Sequence, residues 1–169
     1  MGLRSLKEQI GIWVHAVKLQ RERLFTPEHR PFEDRQADAR LLVLATRDVL
    51  RGVDKIAKQT LDASLLDANK RFSNDNTVSC LKTLRDVFEH FDEYSFGTSP
   101  LQKKRWQKEP CDIENHISGT PSESFTLGTD RYCYHLTIGG LIVDVGEASD
   151  WALYMAELAA KATVPARAS

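Results

Sequence analysis

Residues 78–95 read Val78-Ser79-Cys80-Leu81-Lys82-Thr83-Leu84-Arg85-Asp86-Val87-Phe88-Glu89-His90-Phe91-Asp92-Glu93-Tyr94-Ser95. Leu81, Leu84, Phe88 and Phe91 recur at three- and four-residue spacing, and Cys80, Val87 and Tyr94 widen the stripe. That period predicts a helix from Val78 to about Ser95 with one face in a core. Upstream, Ser73-Asn74-Asp75-Asn76-Thr77 reads as a loop rich in N-cap residues, and Gly97 sits where a helix C-cap belongs. A face this apolar needs partners, which the segments on either side supply.

On the N-terminal side, Leu3, Leu6, Ile10, Trp13, Val14, Val17 and Leu24 mark a first helix from Leu3 to about Leu24. Thr26-Pro27-Glu28-His29-Arg30-Pro31 breaks it, because proline lacks a donor and pushes its predecessor out of the helical region. A long helix then runs from Phe32 to about Thr60. Its expected core face is Ala37, Leu41, Leu44, Ala45, Asp48, Val49, Gly52, Val53 and Ile56, with Arg40, Arg47, Arg51, Lys55 and Lys58 as a basic exposed side. A shorter helical piece covers Leu61 to Phe72. Downstream, residues 98–121 contain Pro100, Pro110 and Pro121 without clean periodicity, which reads as a long loop.

The chain then changes period. Ser124 to Leu127, Arg131 to Ile138 and Leu141 to Val145 read as short antiparallel strands, with Gly139-Gly140 as a two-residue turn that requires positive φ. A last helix, from about Ala148 to Thr163, is expected to bury Trp151, Leu153, Tyr154, Met155, Leu158 and Ala159. The predicted architecture is mainly α, a four-helix bundle with a small β-hairpin or meander inserted before the last helix. As one domain over 1–169 it divides into a helical core at 3–97, a loop at 98–121, a β flap at 122–145 and the final helix within 146–163.

Composition narrows the classes. With 169 residues, 41% hydrophobic and 28% charged, the chain has the mix of an ordinary globular domain. Its net charge of −1 hides an asymmetry. Residues 1–110 hold 20 Lys and Arg against 16 Asp and Glu, while residues 111–169 hold 3 against 8. An anionic ligand is therefore expected on the first two-thirds of the chain. No apolar run approaches the roughly 20 residues of a membrane span. Lys7 and Glu8 interrupt any secretory leader, and Cys80, Cys111 and Cys133 are three, widely spaced and without a CxxC pair. The expectation is a reduced, cytoplasmic chain.

Chemistry concentrates between Arg85 and Tyr94, where Arg85, Asp86, Glu89, His90, Asp92 and Glu93 crowd one helix. Arg85 and His90 are five residues apart, about 140° around a helix and about 7.5 Å along it, so long side chains can converge on one ligand. Asp86 and His90, like Arg85 and Glu89, stand four apart and can pair. The plain alternative is a solvated, salt-bridged helix face worth a few tenths of a kcal/mol per pair, roughly. Lys103-Lys104-Arg105-Trp106 supplies cations around an indole able to grip phosphate and stack on a base; its alternative is a solvated loop with Trp106 tucked into the bundle. Glu89, His90, Asp92 and Glu93 are metal-ligand types, but no Glu-x-x-His occurs, so no metal and no cofactor is expected.

The sequence Arg85-Asp-Val-Phe-Glu-His90 resembles the Rx4–6H motif of the HEPN superfamily, with a polar residue, Asp86, directly after the arginine. The resemblance covers six residues as motif and about residues 3–97 as architecture. It implies a small helical bundle, commonly a homodimer, and a metal-independent endoribonuclease. In that chemistry His90 takes the proton of a ribose 2′-hydroxyl and later protonates the leaving 5′-oxygen. Arg85 clamps the scissile phosphate and Asp86 orients His90. Apart from the resemblance, the loop with Lys103, Lys104, Arg105 and Trp106 follows this helix closely in sequence and is expected to form the rim of such a site. The chain departs from the His-x-Tyr subgroup, since Asp92 stands where that tyrosine belongs and Tyr94 follows two residues later. An antitoxin or other regulatory partner stays open. Two other readings remain beside this one: a non-catalytic helical dimer acting as a binding or scaffold module, and a small-molecule or metal-binding bundle.

Overall fold

The computed structural model describes residues 2–25, 32–73, 76–89, 126–130, 133–138 and 141–164. Several expectations lie outside those residues: the proline break at 26–31, the helix beyond Glu89 with its Gly97 cap, the loop at 98–121 and the Gly139-Gly140 turn. The described chain is mainly helical, with α1 (Leu3–Phe25), α2 (Phe32–Thr60), α3 (Ala63–Ser73), α4 (Asn76–Glu89) and, after three short strands, α5 (Val145–Lys161). The strands are β1 (Thr126–Asp130), β2 (Cys133–Ile138) and β3 (Leu141–Asp144), antiparallel in the order β1-β2-β3. Register pairs Thr126 with Thr137, Ile138 with Leu141 and Leu136 with Val143. Among the described residues no helix is long and apolar enough to cross a membrane.

Helix α2 is the hub, packed against α1, α5 and α4. This explains why its buried face differs from the predicted stripe. Ala45, Val49, Gly52, Val53 and Ile56 are buried as expected, but so are Asp38, Ala39, Leu42, Val43, Thr46 and Leu50. A helix with neighbours on several sides buries more than one stripe. Ala37 and Leu41, both expected inside, are exposed, Leu41 at 48%, and Leu44 and Asp48 are only partly covered. The basic side is corrected as well. Arg51, Lys55 and Lys58 are exposed, whereas Arg40 and Arg47 are half-buried on the side of α4.

Helix α1 runs antiparallel to α2, with Ile10 opposite Gly52 and Arg23 reaching the buried carboxylate of Asp38 at 3.8 Å. Leu6, Ile10, Val17 and Leu24 are buried as the spacing requires, while Trp13 stays 37% exposed. Helix α2 ends at Thr60, and Leu61 directly after it is a non-glycine residue with φ of 53°. Asp62 then starts α3 by accepting hydrogen bonds from the Leu65 N–H at 3.0 Å and the Ser64 hydroxyl at 2.6 Å. The predicted piece from Leu61 to Phe72 is thus a separate helix beginning two residues later. The predicted loop at 73–77 is also shorter, because α3 reaches Ser73 and α4 begins at Asn76.

The last helix begins earlier than expected, at Val145, because Asp144 caps it by accepting from the Glu147 N–H at 2.8 Å. Its buried face is built from small residues, Ala148, Ser149, Ala152, Ala156 and Ala159, together with Met155. Tyr154 is 50% exposed, and Trp151, Leu153 and Leu158 are only partly covered. Small side chains at a helix contact let the axes approach, which selects the alanine face over the aromatic one. Two polar clasps fix α5 antiparallel to α1. Arg21 donates to the Gly146 carbonyl at 3.0 Å, bonds the Ser149 hydroxyl and pairs with Asp150 at 2.7 Å. At the other end the Lys7 ammonium donates to the Ala160 and Ala162 carbonyls, 2.8 Å each.

Candidate functional site

Leu81 and Leu84 are fully buried, and this orientation of α4 sets Arg85 and Asp86 on its flank rather than on an open face. Their side chains are 25% and 28% exposed. The Arg85 guanidinium is held by two carboxylates, Glu89 at 2.6 Å one turn on and Asp86 at 3.3 Å. The expected Arg85–Glu89 pair is therefore present. Asp86, expected to orient His90, is seen engaged with Arg85; His90 itself lies outside the described residues. So do Lys103, Lys104, Arg105 and Trp106.

Across from α4, helix α2 supplies three arginines that the sequence reading placed in solvent or left without a role. The Arg40 guanidinium lies over the Phe88 ring, 5.4 Å from its centroid, a distance at which a cation is attracted to the ring face. Seven residues further, Arg47 is half-buried, and Arg51 pairs with Asp48 at 3.4 Å. Arg40, Arg47 and Arg51 stand seven and eleven residues apart, which returns each to within about 20° of the same line along the helix. That spacing was the available signal for a shared flank.

The electrostatics of this flank are uneven. The Arg47 guanidinium is held below the usual arginine range, first by burial and then by the like charges of Arg51 and Arg85, with Asp86 and Asp48 opposing. Asp48 is engaged by Arg51, and Asp86 and Glu89 by Arg85. Among the described residues no hydrogen bond or ion pair reaches Arg47. Arg85 takes two of these carboxylates and Arg51 the third, which leaves Arg47 half-buried on the flank of α2.

Elsewhere, a concavity of about 230 Å³ lies between α1, α2 and α5. Ile10, Val14, Ile56, Leu153 and Ala156 line it, with Lys18 and Glu157 exposed at its edge. It carries no reacting group. Among the described residues no group of three His, Cys, Asp or Glu side chains is placed to hold a metal ion. Comparison with protein-family models, with curated proteins and with solved structures gives no match.

Proposed function

We infer that the chain is a HEPN-like helical bundle, carrying its β strands as a flap before the last helix, and that it acts in the cytoplasm as a metal-independent endoribonuclease. Two protomers would each contribute Arg85 and His90 to one cleft. The observation that supports this reading is the state of Arg85. The carboxylate pairs with Asp86 and Glu89 belong to either reading, but the side chain is only 25% exposed, where an open salt-bridged face would leave it in water. A guanidinium has five N–H donors. Two engage the carboxylates, and three remain for phosphate oxygens.

The chemistry then balances without a cofactor. His90 accepts the 2′-hydroxyl proton as that oxygen attacks phosphorus, the bond from phosphorus to the 5′-oxygen breaks, and the imidazolium returns the proton to the leaving oxygen. Arg85 stabilises the charge gathering on the non-bridging oxygens. Asp86 orients His90, and Lys103, Lys104, Arg105 and Trp106 hold the strand beside the cleft. Purified protein incubated with RNA in EDTA should leave 2′,3′-cyclic phosphate and 5′-hydroxyl ends and should spare DNA. Products with 3′-hydroxyl ends, or a requirement for magnesium, would remove the mechanism.

The reading as a non-catalytic dimer rests on a different observation, the exposed apolar residues Ile12 at 63%, Leu41 at 48% and Tyr154 at 50%. A dimer without cleavage under the same conditions would favour it.

A further inference from the structure

We propose that the concavity between α1, α2 and α5 is a binding site for a medium-chain alkanoate, a linear alkyl chain with a carboxylate head. The site is separate from the motif on α4 and does not rest on the ribonuclease reading. Its origin lies in how α1 and α5 are fastened. Arg21 holds Gly146, Ser149 and Asp150, and Lys7 holds the carbonyls of Ala160 and Ala162. The two clasps are about 21 Å apart along α1. Between them Gly11 lines the gap on α1, where even a Cβ would meet nothing within 4 Å, and α5 answers with Ala156, Ala159 and Ala160. Side chains this short cannot close a gap that the clasps hold open.

The volume and the walls select an alkyl chain. About 230 Å³ is the share of seven or eight liquid waters at roughly 30 Å³ each, and about eight methylenes fill the same space. Ile10, Ile56 and Ala156 are buried at its base, and Val14 and Leu153 are half-buried beside them. Water against such walls finds few hydrogen-bond partners, so its displacement by an apolar chain is favourable. The clasps set the groove before a ligand arrives, and little is lost to ordering on binding. Charge selects the head. Lys7 and Lys18 stand at the two ends of the lining on α1, against Glu157 alone on α5, which makes the lip net positive. Lys7 already gives two of its three N–H donors to carbonyls of α5. Lys18 has no carboxylate partner among the described residues, so the ligand carboxylate belongs at its end of the groove. The apolar walls carry the affinity, and Lys18 only sets the sign of the head group.

The test is isothermal titration calorimetry of the full chain with hexanoate, octanoate, decanoate and tetradecanoate. Affinity should rise about two- to fourfold per added methylene as far as decanoate, with Kd there on the order of 0.1 mM, and then level off because the groove is full. Decanol should bind about threefold more weakly than decanoate, and decylammonium more weakly still. Gly11→Leu fills the gap and should weaken decanoate binding at least about tenfold. That protein should melt no lower than wild type, because leucine is the better helix former and its Cβ meets open space. Leu153→Gln, which sets an amide in the wall, should weaken binding about fivefold. Lys18→Gln should weaken decanoate about threefold and leave decanol unchanged. Leu41→Gln, which alters an exposed apolar residue of α2 outside the groove, should leave binding as it is.

Absence of decanoate binding by the wild type would overturn the proposal, as would wild-type affinity in both Gly11→Leu and Leu153→Gln. Affinity that keeps climbing to tetradecanoate, or a loss matched by Leu41→Gln, would mean adsorption to exposed apolar side chains and would overturn it equally. Tighter binding of decylammonium than of decanoate would overturn the assignment of the head group. The readout is binding alone. Alkanoate binding by a protein that cuts no RNA would sink the catalytic reading and leave this site standing, and RNA cleavage without alkanoate binding would do the reverse.

Discussion

Gly52 and Gly11 both sit inside helices, where alanine is intrinsically better by about 1 kcal/mol. Their surroundings predict opposite outcomes. A Cβ on Gly52 would come 2.5 Å from Ile10 Cγ1 and 2.8 Å from its Cδ1, so the Ile10 side chain would have to change rotamer or α1 move away from α2. Overpacking of that kind costs about 1–3 kcal/mol, which outweighs the helix propensity. A Cβ on Gly11 meets nothing within 4 Å. Gly52→Ala should therefore destabilise by about 1 kcal/mol and Gly11→Ala should stabilise by several tenths, both read from urea unfolding. A stabilised Gly52→Ala protein would mean that α1 and α2 pack less closely than described. At this scale the sequence was partly readable. Leu81, Leu84, Val49 and Val53 fell where period predicted, but Arg47 did not, because a basic residue on a helix flank looks the same whether the flank faces water or another helix.

The elements are held at their ends by aspartates. Asp144 opens α5 and Asp62 opens α3. Asp144→Ala should cost about 1 kcal/mol in unfolding free energy, the usual worth of a side-chain N-cap, and an unchanged value would mean that the helix start is set by the strands alone. Asp62 makes a pH prediction. Its carboxyl is held below the ordinary carboxylate range, first by the Ser64 hydroxyl and then by the Leu65 N–H. A lowered folded value means that the unfolded chain binds the proton more readily, so the contribution is present above the ordinary carboxylate pKa, about 4, and is lost as pH falls through the folded value. Asp62→Asn keeps a capping oxygen but cannot titrate; its stability at neutral pH should be near wild type, with a shallower decline on the acid side. An identical decline would assign the acid sensitivity elsewhere. Element ends were the harder part of the sequence to read. The Asp144-x-x-Glu147 spacing was there to place the start of α5, yet the eye follows the large residues Trp151 and Tyr154, which the alanine face leaves outside.

At the scale of the whole molecule, the order of helices and the full span of α2, Phe32–Thr60, were legible because a long amphipathic period leaves little choice. What the period cannot give is how many neighbours surround a helix. The central place of α2 follows from four packing partners, α1, α3, α4 and α5, and that is why its buried arc outgrew the predicted stripe and Arg40 came to lie over Phe88 of α4. A composite cleft needs two copies of the chain. Sedimentation at micromolar concentration should therefore show a species of twice 19.1 kDa, and a purely monomeric protein would remove the shared-cleft arrangement.

Cleavage by this route depends above all on His90, and the most direct test is the rate of RNA cleavage in EDTA by wild type and His90→Ala prepared side by side. The proton shuttle predicts metal-independent cleavage by the wild type and loss of at least about a hundredfold in rate for the variant, the lower end of what a general acid–base contributes. An undiminished rate from folded His90→Ala protein would contradict it and return Arg85, Asp86 and Glu89 to a purely structural role.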